Sequence, residues 1–384
     1  MIYAYYQLSF GLMKLAGAID ADEKFDWTKG VPQNSPLPEH VATFLNQTVF
    51  PYYFKLLEQE DDKEVIESVL ERLREIAEAF GPASIGARVE ELVPVLIRFL
   101  EKKAFCQTKM MVDENEGDLE DCDDDEEDED EEEEGDDGID HDELIFGNVS
   151  DLVIALARAF GNEFSGYFAQ IAPHLVVYTA DNHPKSDKNM AFGCFAETFA
   201  AAGAVIPAYF NDYLALLEKH SNSQDSKMNR NISYSIGVLA EHAPVLFQPH
   251  VKNSLTLLSK LHANTSEMDA QDNIVAASCR IVEFQLMPLP AEQRPVEYPQ
   301  LVDSVLQKMP FQGDDAENET VLKFAFKLFA RDQPACLKHM DQIALTCVKV
   351  IVDERTADVI PVKFKYQAGQ FIKEVVVHHA QAKL

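Results

Sequence analysis

Apolar residues along this chain recur at intervals of three and four positions, the spacing of one face of an α-helix. Val65, Val69, Leu73, Ile76 and Phe80 form one such face, with polar residues between them. Glycine (16 residues) and proline (18 residues) are sparse for a chain of 384 residues. The order of the chain is therefore expected to come from helices and not from turns, which predicts an all-α fold.

Helical segments of related sequence follow one another along the chain. They are LREIAEAFG (73–81), VIALARAFG (153–161), GCFAETFAA (193–201), GVLAEHAPV (237–245) and RIVEFQLMP (280–288). The small residues that align these segments are Ala77, Ala157, Ala196, Ala240 and Val282. The steps between them are 80, 39, 44 and 42 residues, and 80 is two periods of 40. A period near forty indicates a repeat protein.

Each repeat unit is predicted to hold two helices, a first helix A and a second helix B that carries the small residues. The A helices are expected in VEELVPVLIRFLEKK (89–103), FAQIAPHLVVYTA (168–180), PAYFNDYLALLEKH (207–220) and YPQLVDSVLQKM (298–309). Two helices per forty residues are typical of HEAT repeats. The predicted fold is therefore an α-solenoid of about eight HEAT repeats, forming one superhelical array over residues 1–384.

A strongly acidic segment interrupts the helical pattern. Between Asp113 and Glu143 there are 23 Asp or Glu residues and no Lys or Arg. The consecutive carboxylates are Asp123, Asp124, Asp125, Glu126, Glu127, Asp128, Glu129, Asp130, Glu131, Glu132, Glu133 and Glu134. Such a run repels itself and cannot be desolvated, which predicts a disordered loop over residues 112–141. The loop lies between an A helix and a B helix and is thus an insertion within one repeat.

The net charge of the chain indicates which class of macromolecule it can bind. The formal net charge is -33, from 66 acidic and 33 basic residues. Nucleic acid and anionic membranes repel such a chain, whereas basic proteins are attracted. The six cysteines show no CxxC pair, and no P-loop, dinucleotide, GxSxG or HExxH motif occurs. We therefore expect no enzyme activity, no metal and no cofactor, and a monomer in a reducing compartment.

One early position of helix B is polar in successive repeats. It reads Ser68, Asn148, Asp187, Asn231 and Asn273, beside the acidic residues Asp151 and Asp272. Asn and Asp are poor residues for a helix interior, so propensity does not explain them. One interpretation is a ladder that binds the backbone and cationic side chains of an extended peptide. The other is helix capping, or a solvated face of no functional consequence.

Several strings resemble the carboxyl-terminal part of importin-4-type karyopherins, in the importin-β family. They are CQTK (106–109) before the acidic loop, GVLAEH (237–242), DNIVAASCRIV (272–282) and MPFQGDDAENETV (309–321). Their order and spacing agree from about residue 60 to residue 350. The resemblance implies a HEAT superhelix that acts as a nuclear import receptor.

The resemblance also implies partners and a location. Such receptors bind basic localisation signals, contact phenylalanine–glycine nucleoporins, and shuttle between cytoplasm and nucleus. Histones H3 and H4 and ribosomal proteins are the implied cargo. Ran GTPase is implied to bind amino-terminal repeats, which this chain does not show. Two alternatives stay open. One is a histone-chaperone-like or static scaffold without transport, and the other is an enzyme or a regulatory subunit of one.

Overall fold

A computed structural model describes Leu37 and residues 39–108, 141–357 and 359–376, and these residues contain helices and connections but no strand. The chain divides into two compact units between Cys194 and Phe195. The long helices of the first unit are α1 (Phe50–Gln59), α2 (Lys63–Phe80), α3 (Val89–Leu100), α4 (His141–Phe160) and α5 (Ser165–Val177). The prediction of an all-α fold is confirmed over these residues.

The division between the units falls inside a helix, α6 (Lys185–Ala201). The remaining helices of the second unit are α7 (Ile206–His220), α8 (Ser226–His242), α9 (Val251–Asn264), α10 (Met268–Ile281), α11 (Tyr298–Leu306), α12 (Glu317–Arg331), α13 (Met340–Val352) and α14 (Val362–Phe371). Odd-numbered helices correspond to the predicted A helices and even-numbered ones to the B helices.

Helices of the same kind lie side by side within each unit. In the first unit α2 packs along α4 and α3 packs along α5. In the second unit α8 packs along α10, and α10 packs along α12. An A helix can also be joined to its own B helix by a short connection, as α7 is to α8. This two-layer arrangement is what repeating helix pairs produce when each buries its apolar face against the next pair.

Aspartates in the polar turns start two of the B helices. Asp62 precedes α2, and its carboxylate accepts hydrogen bonds from the backbone N–H groups of Glu64 (2.9 Å) and Val65 (3.4 Å). Asp225 precedes α8 and accepts from the N–H of Met228 at 2.8 Å. These carboxylates satisfy N–H groups that have no partner within the helix.

The acidic segment follows helix α3 and precedes helix α4 in the sequence, and the first residues of α4 contact α2. The A helix α3 ends at Leu100, and the B helix α4 begins at His141, the only residue of the predicted loop 112–141 inside the described part of the chain. An ion pair joins Asp142 to Lys63 of α2 at 3.1 Å. His141 Nδ1 lies 2.9 Å from Glu67 Oε1. The insertion of the loop within one repeat stays a prediction.

One described helical run, His141–Val177, is long and apolar enough by composition to cross a bilayer. It comprises α4, a short 3₁₀ turn and α5, and 56% of its most apolar stretch is buried. Core helices of repeat proteins have the same composition, so this run is weak support for a membrane span.

The small residues of the B helices allow close packing. A Cβ atom at Gly237 of α8 would lie 3.2 Å from the Cα of Ala277 in α10 and 3.0 Å from the Cδ of Arg280. Both distances are shorter than ordinary carbon–carbon contacts. Gly237 therefore sets how near α8 and α10 can approach.

We expect Gly237→Ala to lower the free energy of unfolding by about 1–3 kcal/mol, since the added methyl group separates two packed helices. Gly193→Ala in α6 is the control, because nothing lies within 4 Å of its Cβ position. That change should raise the free energy of unfolding by about 0.5–1 kcal/mol through helix propensity alone. Urea denaturation followed by circular dichroism measures both, and equal effects of the two changes would contradict the packing role.

Candidate functional site

The predicted polar residues all lie in the first half of a B helix. Ser68 lies in α2, Asn148 in α4, Asp187 in α6, Asn231 in α8 and Asn273 in α10. Their alignment in sequence is thus an alignment of helix positions. Their environments differ from one helix to the next, so each is described with its own unit.

In the first unit two of these positions are half-buried. Ser68 and Asn148 both have intermediate exposure, and the Asn148 side-chain amide donates to the carbonyl of Leu144 at 3.1 Å. Asp151, one turn after Asn148, is exposed. Ser68 and Asn148 thus border the surface, where Asn148 competes with the backbone of its own helix.

Asp187 is more deeply placed, with 6% of its surface exposed near the start of α6. Its Oδ2 atom lies 3.5 Å from Nδ1 of His183, in the preceding turn. The ring of His183 in turn lies 4.9 Å from the ring of Tyr178. Asp187 therefore fixes the connection that leads into α6, in keeping with a helix-start role.

Asp272 holds a loop from the neighbouring repeat. Its Oδ2 atom accepts hydrogen bonds from three successive backbone N–H groups, those of Gln312 (3.0 Å), Gly313 (2.7 Å) and Asp314 (3.1 Å). Burial raises the pKa of Asp272, and the three N–H groups oppose that rise. The carboxylate thus acts as the anchor of the segment that leads into α12.

Asn273 completes the same anchor from a buried position. Its side-chain amide donates to Asp314 Oδ2 at 2.8 Å and to the carbonyl of Asp269 at 3.0 Å. A Cβ at Gly313 would lie only 2.2 Å from the backbone nitrogen of Asp269, so the loop can approach α10 only with glycine there. Asn273 and Asp272 make structural contacts, and a ligand-binding role for the seven predicted residues stays a prediction.

A second row of polar residues occupies the position just after the aligned small residues. It consists of Glu78 in α2, Arg158 in α4, Glu197 in α6, Glu241 in α8, and Glu283 directly after α10. This row was not predicted from the sequence. Its signal was present, since a charged residue directly follows the aligned small residue in all five aligned segments.

In the first unit the row combines opposite charges. Burial raises the pKa of Glu78, while the nearby charges of Arg74 and Arg158 oppose the rise. The Nη1 atom of Arg74 lies 3.9 Å from Glu78 Oε1. Arg158 is exposed at the equivalent position of α4. The carboxylate of Glu78 is thus balanced within the chain.

In the second unit the row meets a buried cation, Arg280 of α10, which is 9% exposed. Its guanidinium forms a two-pronged ion pair with Glu317 of α12, at 3.1 and 3.0 Å. Its Nε atom lies 3.4 Å from Glu241 Oε2, and Nη2 donates to Thr320 Oγ1 at 3.0 Å. The ring of Tyr234 lies 5.5 Å from the guanidinium carbon. Arg280 thus joins α8, α10 and α12 through charge-assisted bonds.

Glu197 and Glu283 precede and follow Glu241 in the row, and each has its own partner in the chain. Glu197 hydrogen-bonds Tyr234, whose pKa is raised by burial and by that carboxylate. Glu283 is 5% exposed and pairs with Lys327 of α12. The Nζ atom of Lys327 also lies 5.0 Å from the ring of Phe284. Each carboxylate of the row therefore meets a polar or cationic group of the chain itself.

The arrangement can bind charged side chains, but it shows no centre for chemistry. The described residues contain no cluster of His, Cys, Asp or Glu that could hold a metal ion. The five cysteines described as free are all buried, and burial raises the pKa of Cys106 to about 11 and of Cys336 to about 12. These thiols are therefore poor nucleophiles.

We expect Arg280→Met to lower the free energy of unfolding by about 3–5 kcal/mol, because it leaves the buried carboxylate of Glu317 without its cation. The double variant Arg280→Met with Glu317→Gln should recover a large part of that loss, since it removes the uncompensated charge. Thermal and urea denaturation of the two variants measure both effects. Equal stability of the single and double variants would show that the pair is not a buried electrostatic unit.

Comparison with known proteins places these features in context. Human Importin-4 is 27% identical to the chain over 310 residues, covering 80% of the chain and 26% of the human protein. The probable importin subunit beta-4 of Schizosaccharomyces pombe is 25% identical over 317 residues, covering 83% of the chain and 28% of that protein. The chain thus spans about a quarter of the length of these curated relatives. No protein-family model matches the chain.

Solved structures support the fold. The karyopherin Kap121p bound to the SUMO protease Ulp1p matches with a TM-score of 0.56 and 13% identity, over 87% of the chain and 31% of that structure. A Kap121p variant with three acidic-to-lysine substitutions matches with a TM-score of 0.53 and 14% identity, over 87% of the chain and 30% of that structure.

These comparisons bear on three predictions made from the sequence. The predicted fold class, an all-α solenoid of about eight HEAT repeats, is confirmed by the helix pairs and the karyopherin structures. The relatives are named as importins and not as enzymes, in agreement with the expectation that the chain has no enzyme activity. The resemblance of this chain to importin-4-type karyopherins of the importin-β family is confirmed.

Proposed function

We propose that this chain is part of a nuclear import receptor, and that its B helices bind a basic, extended segment of cargo. The observation that carries the proposal is the row of carboxylates Glu197, Glu241 and Glu283, placed at the repeat spacing in a chain that resembles importin-4. Repeat-spaced carboxylates can meet successive cationic side chains of one peptide. A net charge of -33 attracts such a peptide over a longer range.

The spacing of these carboxylates has a parallel in Kap121p. The three acidic residues replaced by lysine in the Kap121p variant are 43 and 42 residues apart. Glu197, Glu241 and Glu283 are 44 and 42 residues apart. The acidic residues replaced in that protein and the carboxylates of this row thus recur at nearly the same interval. The residues of the earlier polar row that reach the surface, such as Ser68 and Asn148, would supply further polar contacts in the first unit.

The finer features of the proposal follow from the resemblance. The cargo would be basic proteins such as histones H3 and H4 or ribosomal proteins. The whole receptor would contact phenylalanine–glycine nucleoporins and would shuttle between cytoplasm and nucleus. It would release its cargo when Ran GTPase, bound to GTP, occupies amino-terminal repeats. The acidic composition is consistent with protein cargo and not with nucleic acid.

The acidic segment would assist capture without forming the binding surface. In sequence the segment lies between α3 and α4. Charges in water act over about 8 Å at physiological salt, so the segment would mainly raise the association rate.

We expect the chain to bind a fluorescein-labelled histone H3 tail peptide, with affinity that falls steeply as salt increases. Changing Asp123–Glu134 to Asn and Gln at constant length should slow association about three- to tenfold and leave the dissociation rate nearly unchanged. Stopped-flow fluorescence and anisotropy titrations measure the rates and the affinity.

The control changes the length of the segment and not its charge. A variant in which neutral Gly and Ser residues extend the segment, with all twelve carboxylates of Asp123–Glu134 retained, should associate at nearly the wild-type rate. Absence of peptide binding at low salt would overturn the proposed function. If binding does not depend on the charge of the segment, the proposed receptor function still stands, but the segment has no role in capturing cargo.

A further inference from the structure

A groove in the second unit lies beside the last carboxylate of the row. It encloses about 400 Å³ and is lined by Glu283, Phe284, Met287, Pro288, Lys327, Ala330 and Arg331. The segment after α10 forms one wall, and the end of α12 forms the other. The groove therefore combines an apolar lining with one carboxylate and two cations.

The exposure of the charged groups is uneven. Glu283 is 5% exposed, whereas the side chain of Lys327, which pairs with it, is 53% exposed. A buried carboxylate is costly without a cation, so Glu283 needs one to reach it from the solvent side. The lysine that now meets this need lies at the surface, where it can move away if another cation takes its place.

The lining suits the side chain of a lysine. The face of Phe284 already accepts an ammonium group, that of Lys327, at 5.0 Å from the ring centre. Met287, Pro288 and Ala330 offer apolar surface for the methylene groups of a lysine stem. The Glu283 carboxylate and the negative face of the ring repel an acidic side chain, whereas Lys327 and Arg331 attract it.

We propose that this groove binds a lysine side chain of a basic partner segment. Lys327 pairs with the Glu283 carboxylate until the lysine of the partner displaces it. The inference rests on the proposed function, because it assigns one position of the basic segment to one pocket. Arg331 at the same groove adds positive charge, so that with Lys327 in place the cations outnumber the carboxylate. Entry of a lysine is thus opposed while Lys327 stays, which makes Lys327 a competitor.

A matched ion pair on the same helix supplies the control. Lys323, one turn before Lys327 in α12, has a side chain that is 54% exposed and lies 2.8 Å from Glu319. It also lies 5.8 Å from the ring of Phe364. Lys323 and Glu319 do not line the groove. Changes at this pair alter the net charge of the chain as changes at Lys327 and Glu283 do, but leave the pocket intact.

The experiment measures binding of a fluorescein-labelled peptide of alternating Lys and Ser to the full chain by anisotropy. Lys327→Met should tighten binding about three- to tenfold, and Glu283→Gln should weaken it about as much, the range for one partly desolvated charge pair. Lys323→Met and Glu319→Gln should change affinity by less than about twofold. Phe284→Leu should weaken binding of the lysine peptide about threefold, from loss of the ring face.

The outcomes separate the two proposals. Wild-type binding with equal effects at Lys327 and Lys323 would overturn the competing lysine and leave the proposed function standing. Unchanged affinity in Glu283→Gln would overturn the pocket itself. Absence of binding by the wild-type chain at low salt would overturn the proposed function and this inference together. A peptide of alternating Glu and Ser that binds more tightly than the lysine peptide would show that the groove takes an acidic segment instead.

Discussion

The second unit depends on one buried guanidinium, that of Arg280. A cation with 9% exposure is stable only if its hydrogen bonds and its charge are satisfied by neighbours. Glu317 supplies one hydrogen bond and a second charge contact, and Glu241 supplies a further charge contact. Because the partners come from α8 and α12, the three B helices can take only those separations at which the side chains still meet.

The same constraint explains why the strings that carry the family resemblance occur together. Gly237 and Glu241 belong to GVLAEH, Arg280 belongs to DNIVAASCRIV, and Glu317 belongs to MPFQGDDAENETV. The glycine permits the approach that the two charged groups require. Asp272 joins the second and third of these strings again, because its carboxylate accepts hydrogen bonds from the N–H groups of residues 312–314, just before α12. Residues far apart in sequence are therefore constrained as one group by packing and charge.

Much of the helical architecture followed from the sequence, because it depends on local periodicity. The spacing of Val65 to Phe80 predicted a helix that the structure gives as α2, and the B-helix segment 153–161 lies almost wholly within α4. The functional face was harder to predict. Asn273 and Asp272 have the composition of a binding ladder, yet they hold a loop some forty residues away, which depends on the close approach of Gly313. No local pattern contains that contact.

The charged row shows how a solenoid can offer carboxylates to a ligand without leaving them unpaired. Glu283 is too deeply buried to remain without a cation, and Lys327 supplies one from a more exposed position. A ligand that merely adds positive charge gains little at such a pair, since the charge is already balanced. A ligand whose side chain replaces the lysine, and also fits the apolar walls, gains the packing as well. In the proposed receptor, internal pairing would convert a general attraction to basic proteins into a preference for side chains of a particular shape.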